Sequence, residues 1–347
     1  MSAFPPRVTP SSLPRRRARS PMSRVGQDDE AQQDESASAV LDPEAAPSGA
    51  AAPRPLLGGF ALAALGAIAF SGKAIIVKLG YRYGVDAITL LALRMLVAFP
   101  FFLLMGAWAA RRAEPLARGD GLRIVGLGFF GYYLASFLDF AGLAYITATL
   151  ERLILYLTPT LVLAIGLLVF RRRASRAQLV ALAISYAGVL LAFGHDWSLG
   201  GGNIALGSLL VFGSALAYAI YLVGSGEMVR RVGAVRLTAY ASSVASVLCI
   251  GQFLLLRPPA DLLAVPAPVW WLSLLNGTVC TVLPVLMVMM AVSRIGSALA
   301  AQIGMIGPVS TIVLSLLLLG EPMGPWQIAG TVLVMSGVFV VSRQKAA

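Results

Sequence analysis

Residues 147–170 read TATLERLILYLTPTLVLAIGLLVF, and 149 positions later residues 296–319 read GSALAAQIGMIGPVSTIVLSLLLL. A helix needs about 20 mostly apolar residues to cross a hydrocarbon layer of about 30 Å, and each run supplies them. Each also carries a proline at the same place, Pro159 and Pro308. The register continues without a gap: Ile146 aligns with Ile295, Leu150 with Leu299, Ile154 with Ile303, Gln178 with Gln327, and Gly188-Val189 with Gly337-Val338. In so apolar a chain a Leu on Leu match means little, so the weight rests on Pro, Gln and Gly. Gly84 with Gly233 carries the register into the earlier part of each copy.

The rest of the chain is the same material. With 58% hydrophobic and 12% charged residues and a mean hydropathy of +0.81, it lies far from soluble domains, which average roughly 25% charged. Ten apolar stretches follow one another, near 56–79, 87–109, 123–145, 148–170, 176–194, 204–224, 234–256, 268–291, 297–319 and 325–343. They are continuous rather than alternating, which disfavours a β-barrel. The predicted fold is an all-α polytopic membrane protein of ten transmembrane helices, in two five-helix units at 56–194 and 204–343. Residues 1–55 hold seven arginines, seven acids and little that buries a core, and read as a disordered cytoplasmic tail. A transit peptide fits poorly with the acid-rich run from Asp28 to Glu44, and a start at Met22 is an alternative.

The net charge of +11 points toward orientation rather than toward nucleic acid. The tail's charges cancel. The excess falls on alternate loops: Arg111, Arg112, Arg118 and Arg123; then Arg171, Arg172, Arg173 and Arg176; then Arg230, Arg231 and Arg236. Basic residues in short loops mark the cytoplasmic side, so both termini are expected inside. Five spans per unit is an odd number, so the second unit enters from the opposite side. The loops agree: Arg171-Arg172-Arg173 follows the fourth span, while Gly320-Glu321-Pro322 stands at the aligned place after the ninth. Inverted repeats around a midplane site are a plan of secondary transporters.

These features carry a resemblance. The passages LDFAGLAYITATLERLILYLTPTLVL (138–163), MAVSRIGSALAAQIGMIGPVSTIVLSLLLLGEP (290–322) and FSGKAIIVKLGYRYGVDAITLLALRMLVA (70–98) are similar to the ten-helix, EamA-like branch of the drug/metabolite transporter superfamily. The resemblance covers about residues 56–343. It implies two fused repeats, cytoplasmic termini, and export or exchange of small metabolites such as amino acids. One place departs from the family's Gly-Glu-Arg-like turn: Phe170-Arg171-Arg172 follows the fourth span, whereas Gly320-Glu321 keeps the turn in the second half. The first-half turn is given no role beyond orientation.

Ionisable residues inside a membrane are functional candidates by default, at about 2.5–3.5 kcal/mol each on insertion scales. Here they are Lys73, Arg94, Asp139, Glu151 and Arg152, all in the first half. At 1.5 Å per residue, the first three sit roughly 9–10 Å below the outer ends of their helices and the last two about 5 Å. Tyr132, Ser136 and Asp139 share one helical face, as do Arg152, Tyr156 and Pro159. Gln302 and Thr311 offer polar surface from the second half. Such a cavity suits a zwitterion, its carboxylate on Arg94 or Arg152 and its amine on Asp139 or Glu151. An acid taken out of water can also carry a coupling proton, and Glu151 and Asp139 are the acids so placed. Pro159, Gly307 and Pro308 are the expected hinge. The plainer readings are that Lys73 and Arg152 snorkel to the outer interface and that Arg94 pairs with an acid only to hold helices together.

Other functions lack parts. One histidine, two isolated cysteines, and no HExxH, intramembrane GxSG or P-loop leave no metalloprotease, serine protease or ATPase chemistry. No cofactor, metal or catalytic residue is expected. The expected partners are a small-molecule substrate and the lipid bilayer of a bacterial plasma membrane, with a homodimer left open. The rival class is a membrane-embedded sensor or receptor without transport.

Overall fold

The computed structural model describes residues 55–111, 113–169, 175–198, 203–304, 306–321 and 324–343. The tail expected to be disordered, the Arg171–Arg173 turn and the side chains of His195 and Gln302 lie outside the described residues. Among those described, the chain is helical throughout, with no strand. Helix α1 spans Pro55–Arg82, α2 Ala87–Ala110, α3 Asp120–Leu143 and α4 Ala148–Leu168, and α5 Arg176–Ser198. Then follow α6 at Ile204–Val232, α7 at Ala234–Leu256, and α8 at Ala267–Gly277, continued by a wider π turn at Thr278–Val282 and by Leu283–Gly304. The last are α9 at Ile306–Leu319 and α10 at Pro325–Arg343. Eight of these helices are long and apolar enough to cross a membrane, and two shorter apolar helices, Ile306–Leu319 and Pro325–Val340, accompany them.

Only 33–50% of the most apolar window of each long helix is buried inside the molecule. The rest turns large apolar side chains outward, among them Leu104, Trp108, Leu122 and Leu255, which are 68–87% exposed. Faces this apolar require lipid, where helices satisfy their own backbone groups. The chain is an integral membrane protein.

The main packing partners form a regular list. Helix α5 packs on α10, α2 on α7 and α4 on α9; α1 packs on α8 and α9, as α6 does on α3 and α4; α2 packs on α8, as α7 does on α3. Exchanging each helix with the one five places on turns this list into itself. Equivalent helices meet antiparallel. A Cβ on Gly188 would lie 2.6 Å from the Gly330 carbonyl, and one on Gly337 would lie 2.6 Å from the Ala181 carbonyl, so α5 and α10 run in opposite senses with their backbones in near contact. Ser246 donates to the Met95 sulfur at 3.6 Å while Gly106 faces Tyr240, which sets α2 against α7 in the same way. Small residues permit such approaches where lipid provides no hydrophobic drive between helices. Gly188→Val is expected to force α5 from α10 and lower stability by about 1–3 kcal/mol, the usual range for overpacking. A Cβ on Gly251 within α7 meets nothing, so Gly251→Ala is expected to raise stability by about 0.5–1 kcal/mol. Thermal unfolding of both variants in detergent checks the contrast.

The helix irregularities also correspond. The π turn at Phe129–Leu134 in α3 lies 149 residues before the one at Thr278–Val282 in α8. In α4, Pro159 has no N–H to continue the ladder, and the helix parts into Ala148–Leu155 and Thr158–Leu168. The Thr158 hydroxyl donates to the Leu155 carbonyl at 2.6 Å, satisfying the acceptor that proline leaves. One boundary differs from the sequence reading: α8 runs unbroken through residues 292–296 to Gly304, where a break before a ninth span was expected. In the first half the corresponding break is built by Thr147, whose hydroxyl accepts from the Leu150 N–H at 3.1 Å. Its equivalent, Gly296, has no side chain to cap a new helix.

Candidate functional site

Four helices of the first half bring the predicted charges together. Lys73 of α1, Arg94 of α2, Asp139 of α3, and Glu151 and Arg152 of α4 are all buried, none more than 6% exposed. The Lys73 ammonium donates to Asp139 Oδ2 and lies 3.8 Å from Glu151 Oε1. Arg152 Nε stands 3.9 Å from Glu151 Oε2. The snorkelling readings of Lys73 and Arg152 therefore fail: both turn inward to acids. Phe70, one turn before Lys73 on α1, sets its ring 5.4 Å from the ammonium and 5.6 Å from the Arg152 guanidinium. Phe70 is 41% exposed.

Arg94 makes no ion pair with the acids, although Asp139 lies within electrostatic reach of it. Its Nη2 donates to Ser136 Oγ at 2.9 Å, and its guanidinium lies over the Phe140 ring at 4.7 Å. Among the described residues no carboxylate comes within ion-pair distance of it, so the expected pairing with Asp139 or Glu151 is not formed. Six buried polar atoms of the group accept or donate no hydrogen bond: Arg94 Nε, Asp139 Oδ1, both oxygens of Glu151, and Arg152 Nε and Nη2. Each such orphan costs about 1–3 kcal/mol. Such atoms call for a partner from outside the chain, a solute or a water.

The other predicted residues that are described make contacts of their own. Tyr132, in the π turn of α3, has its hydroxyl 3.2 Å from that of Tyr221, and the Tyr221 ring stacks on Tyr218 with centroids 5.6 Å apart. Tyr156 donates across the halves to the Gly304 carbonyl at 3.0 Å. Thr311 is fully buried but donates to the Gly307 carbonyl of its own helix at 3.1 Å. The Ser71 hydroxyl, next to Lys73, donates to that same carbonyl at 2.8 Å, tying α1 to the start of α9. Two shallow apolar grooves of about 340 Å³ and 290 Å³ run elsewhere, one past Arg123, Gly126 and Tyr221, the other past Phe102, Gly106 and Tyr240. Neither borders the charges.

A second polar layer was not singled out from the sequence. Both carboxylate oxygens of Glu321, in the turn after α9, accept from the Ala148 N–H, the first of α4, at 3.1 and 3.0 Å. Ser315 Oγ donates to Glu321 at 2.5 Å. Lys78 stands 3.9 Å from the same carboxylate and donates to the Ile146 carbonyl at 2.8 Å. Alongside, Asp196 accepts from Thr147 Oγ1 at 2.7 Å and from Gln327 Nε2 at 2.8 Å. The signal available was Gly320-Glu321 itself, a glycine at φ +66° followed by an acid in an apolar run.

Comparison with known proteins agrees with this architecture. The pattern of the EamA-like transporter family matches residues 57–194 and again 205–343. The chain is 32% identical to an uncharacterized transporter, YcbK, of Bacillus subtilis over 80% of this chain and 89% of that protein. It is 27% identical to a probable amino-acid metabolite efflux pump of Salmonella typhimurium, over 80% of this chain and 93% of the pump. A solved crystal structure with 17% identity superposes with a TM-score of 0.56 over 84% of this chain and 96% of its own, a likeness of fold alone. With its family pattern present twice and nearly the whole membrane part covered, the chain belongs to the EamA-like transporter family.

Proposed function

We propose that the protein is a secondary transporter of a small organic solute, exporting or exchanging it by alternating access across a bacterial plasma membrane. In this reading residues 56–194 and 204–343 are inverted five-helix repeats, ten spans in all, with both termini cytoplasmic. The antiparallel packing of equivalent helices supports the inversion, and the two occurrences of the family pattern support the division. The observation that carries the function is the group of five buried charges, six of whose polar atoms make no hydrogen bond, set beside a helix broken at Pro159. Discontinuous helices at mid-depth are where transporters of this plan bind their cargo. Substrate contacts are assigned to Lys73, Arg94, Ser136, Asp139, Glu151 and Arg152, and further contacts to Tyr132, Tyr156, Gln302 and Thr311. Glu151, between Lys73 and Arg152, and Asp139 are assigned to proton coupling, and Pro159, Gly307 and Pro308 to the hinge. The name of the Salmonella relative favours an amino-acid-like cargo moving outward.

Two measurements test the reading. Single cysteines placed at 171–173 and at 320–324 are expected to react with an impermeant reagent from opposite faces of the bilayer; reaction from one face removes the inverted repeat. Purified protein in proteoliposomes is expected to move a radiolabelled metabolite from a mixed panel, driven by a solute or proton gradient. Absence of flux for every class would leave the sensor reading in its place.

A further inference from the structure

The charges divide unevenly. Lys73 and Arg152 face Asp139 and Glu151 at ion-pair distances, two cations against two anions. Arg94 is left over. It is 4% exposed, its Nε has no hydrogen-bond partner, and it touches Ser136 and an aromatic face, with Cys249 and Cys280 nearby and the Asp139 carboxylate in electrostatic reach but beyond ion-pair distance. A lone hydroxyl and a ring do not neutralise a buried guanidinium, whose planar fork is shaped to receive two oxygens at once. Ser136 accepts from Arg94 and so keeps its own O–H free to donate to the same oxygens. The place is also an interface between the halves, since a Cβ on Gly277 of α8 would meet the Arg94 carbonyl at 2.9 Å.

We propose that the transported solute carries a net negative charge, and that Arg94 with Ser136 is the subsite that receives its carboxylate or comparable anionic group. The proposal rests on the transport reading and narrows it: of the two arginines considered for a carboxylate, Arg152 is engaged by Glu151 and Arg94 is not. An amine finds both acids already faced by cations, which favours, among amino-acid-like and related solutes, those with a net negative charge over neutral zwitterions. The solute then supplies the missing counter-charge to a site whose total, three cations against two anions, is positive.

Thermal stability of the purified protein, read against size-matched monocarboxylates, neutral amino acids and primary amines, tests this directly, because stabilisation follows affinity. Monocarboxylates are expected to raise the melting temperature of the native protein, and Arg94→Gln to weaken that effect at least tenfold in concentration. Arg94→Lys should restore part of it, and Ser136→Ala should weaken it less. Without added solute, Arg94→Gln is expected to melt higher than the native protein, since it removes an uncompensated charge; a residue kept only to hold helices together would melt lower. Stabilisation by amines or neutral amino acids that Arg94→Gln leaves intact would overturn the proposal, as would a lower basal melting temperature for that variant. Anion binding through Arg94 without flux in proteoliposomes would instead sink the transport reading and leave the subsite standing.

Discussion

Lys73→Met is expected to destabilise the protein by about 3–5 kcal/mol, the usual cost of removing one partner of a buried ion pair, and Lys73→Met with Asp139→Asn is expected to recover most of it. The asymmetry follows from burial. Lys73 is 6% exposed, Asp139 2% and Glu151 0%, so without the ammonium two carboxylates face each other in a medium that hydrates neither, with Arg152, 3.9 Å from Glu151, as the remaining cation at ion-pair distance. Neutralising Asp139 as well removes the stranded charge, and a buried pair replaced as a unit is often close to neutral in stability. Melting in detergent should show a fall on the order of 10 °C for the single variant and a much smaller one for the double. Equal falls for both would mean that Lys73 acts through its methylene packing and not through its charge. In proteoliposomes neither variant should transport, because function needs the pair and not merely the fold. A double variant that melts normally and still moves solute would remove Lys73 and Asp139 from the site.

How far the molecule could be read before its structure depends on which coordinate each inference needed. Depth in the membrane follows from a rise of about 1.5 Å per residue, so Lys73, Arg94, Asp139, Glu151 and Arg152 were legible as one layer. Azimuth does not follow, because helix tilt and rotation are set by packing, and so the choice of partners was not legible: Lys73 takes Asp139, and Arg94 takes a serine and a ring. The helix break at Pro159 was visible, but the use of Thr158 to satisfy the Leu155 carbonyl was not. Gly128 and Gly277 stand 149 residues apart and face Ala241 of α7 and Val97 of α2, an equivalence hidden among 35 glycines. The π turns left no sequence mark. The expected break at 292–296 failed for a local reason, the glycine that replaces Thr147 as cap. Glu321 was seen as half of a family turn, yet its contact with the start of α4 exists only because α4 and α9 stack antiparallel.

That contact makes Glu321→Ala the second large expected effect: an opening of the end of the molecule that faces outside in the proposed orientation. The Glu321 carboxylate holds the N-terminal amide of α4 and the Ser315 hydroxyl, and Lys78 of α1 stands beside it. It thus ties a second-half turn to two first-half helices. A carboxylate at a helix N-terminus gains from both the free N–H and the helix dipole, and hydrogen bonds to charged groups contribute about 1.5–3 kcal/mol each. Losing this set shifts a two-state opening by about 2–4 kcal/mol, roughly 30-fold to 1,000-fold in population. At position 172, the equivalent of Glu321, the sequence has arginine, so an acidic cap of this kind is written into one half alone. Cys280 reports the opening: it is 4% exposed, and its sulfur would lie 2.9 Å from a Cβ on Gly72, beside Lys73. In a Cys249→Ala background, an impermeant thiol reagent added outside should modify Cys280 at least tenfold faster in Glu321→Ala than in the parent, with Glu321→Gln between them because one acceptor remains. Unchanged reactivity together with a lowered melting temperature would reduce Glu321 to a structural cap. Faster reactivity at an unchanged melting temperature would mark it as the residue whose release opens the outer side.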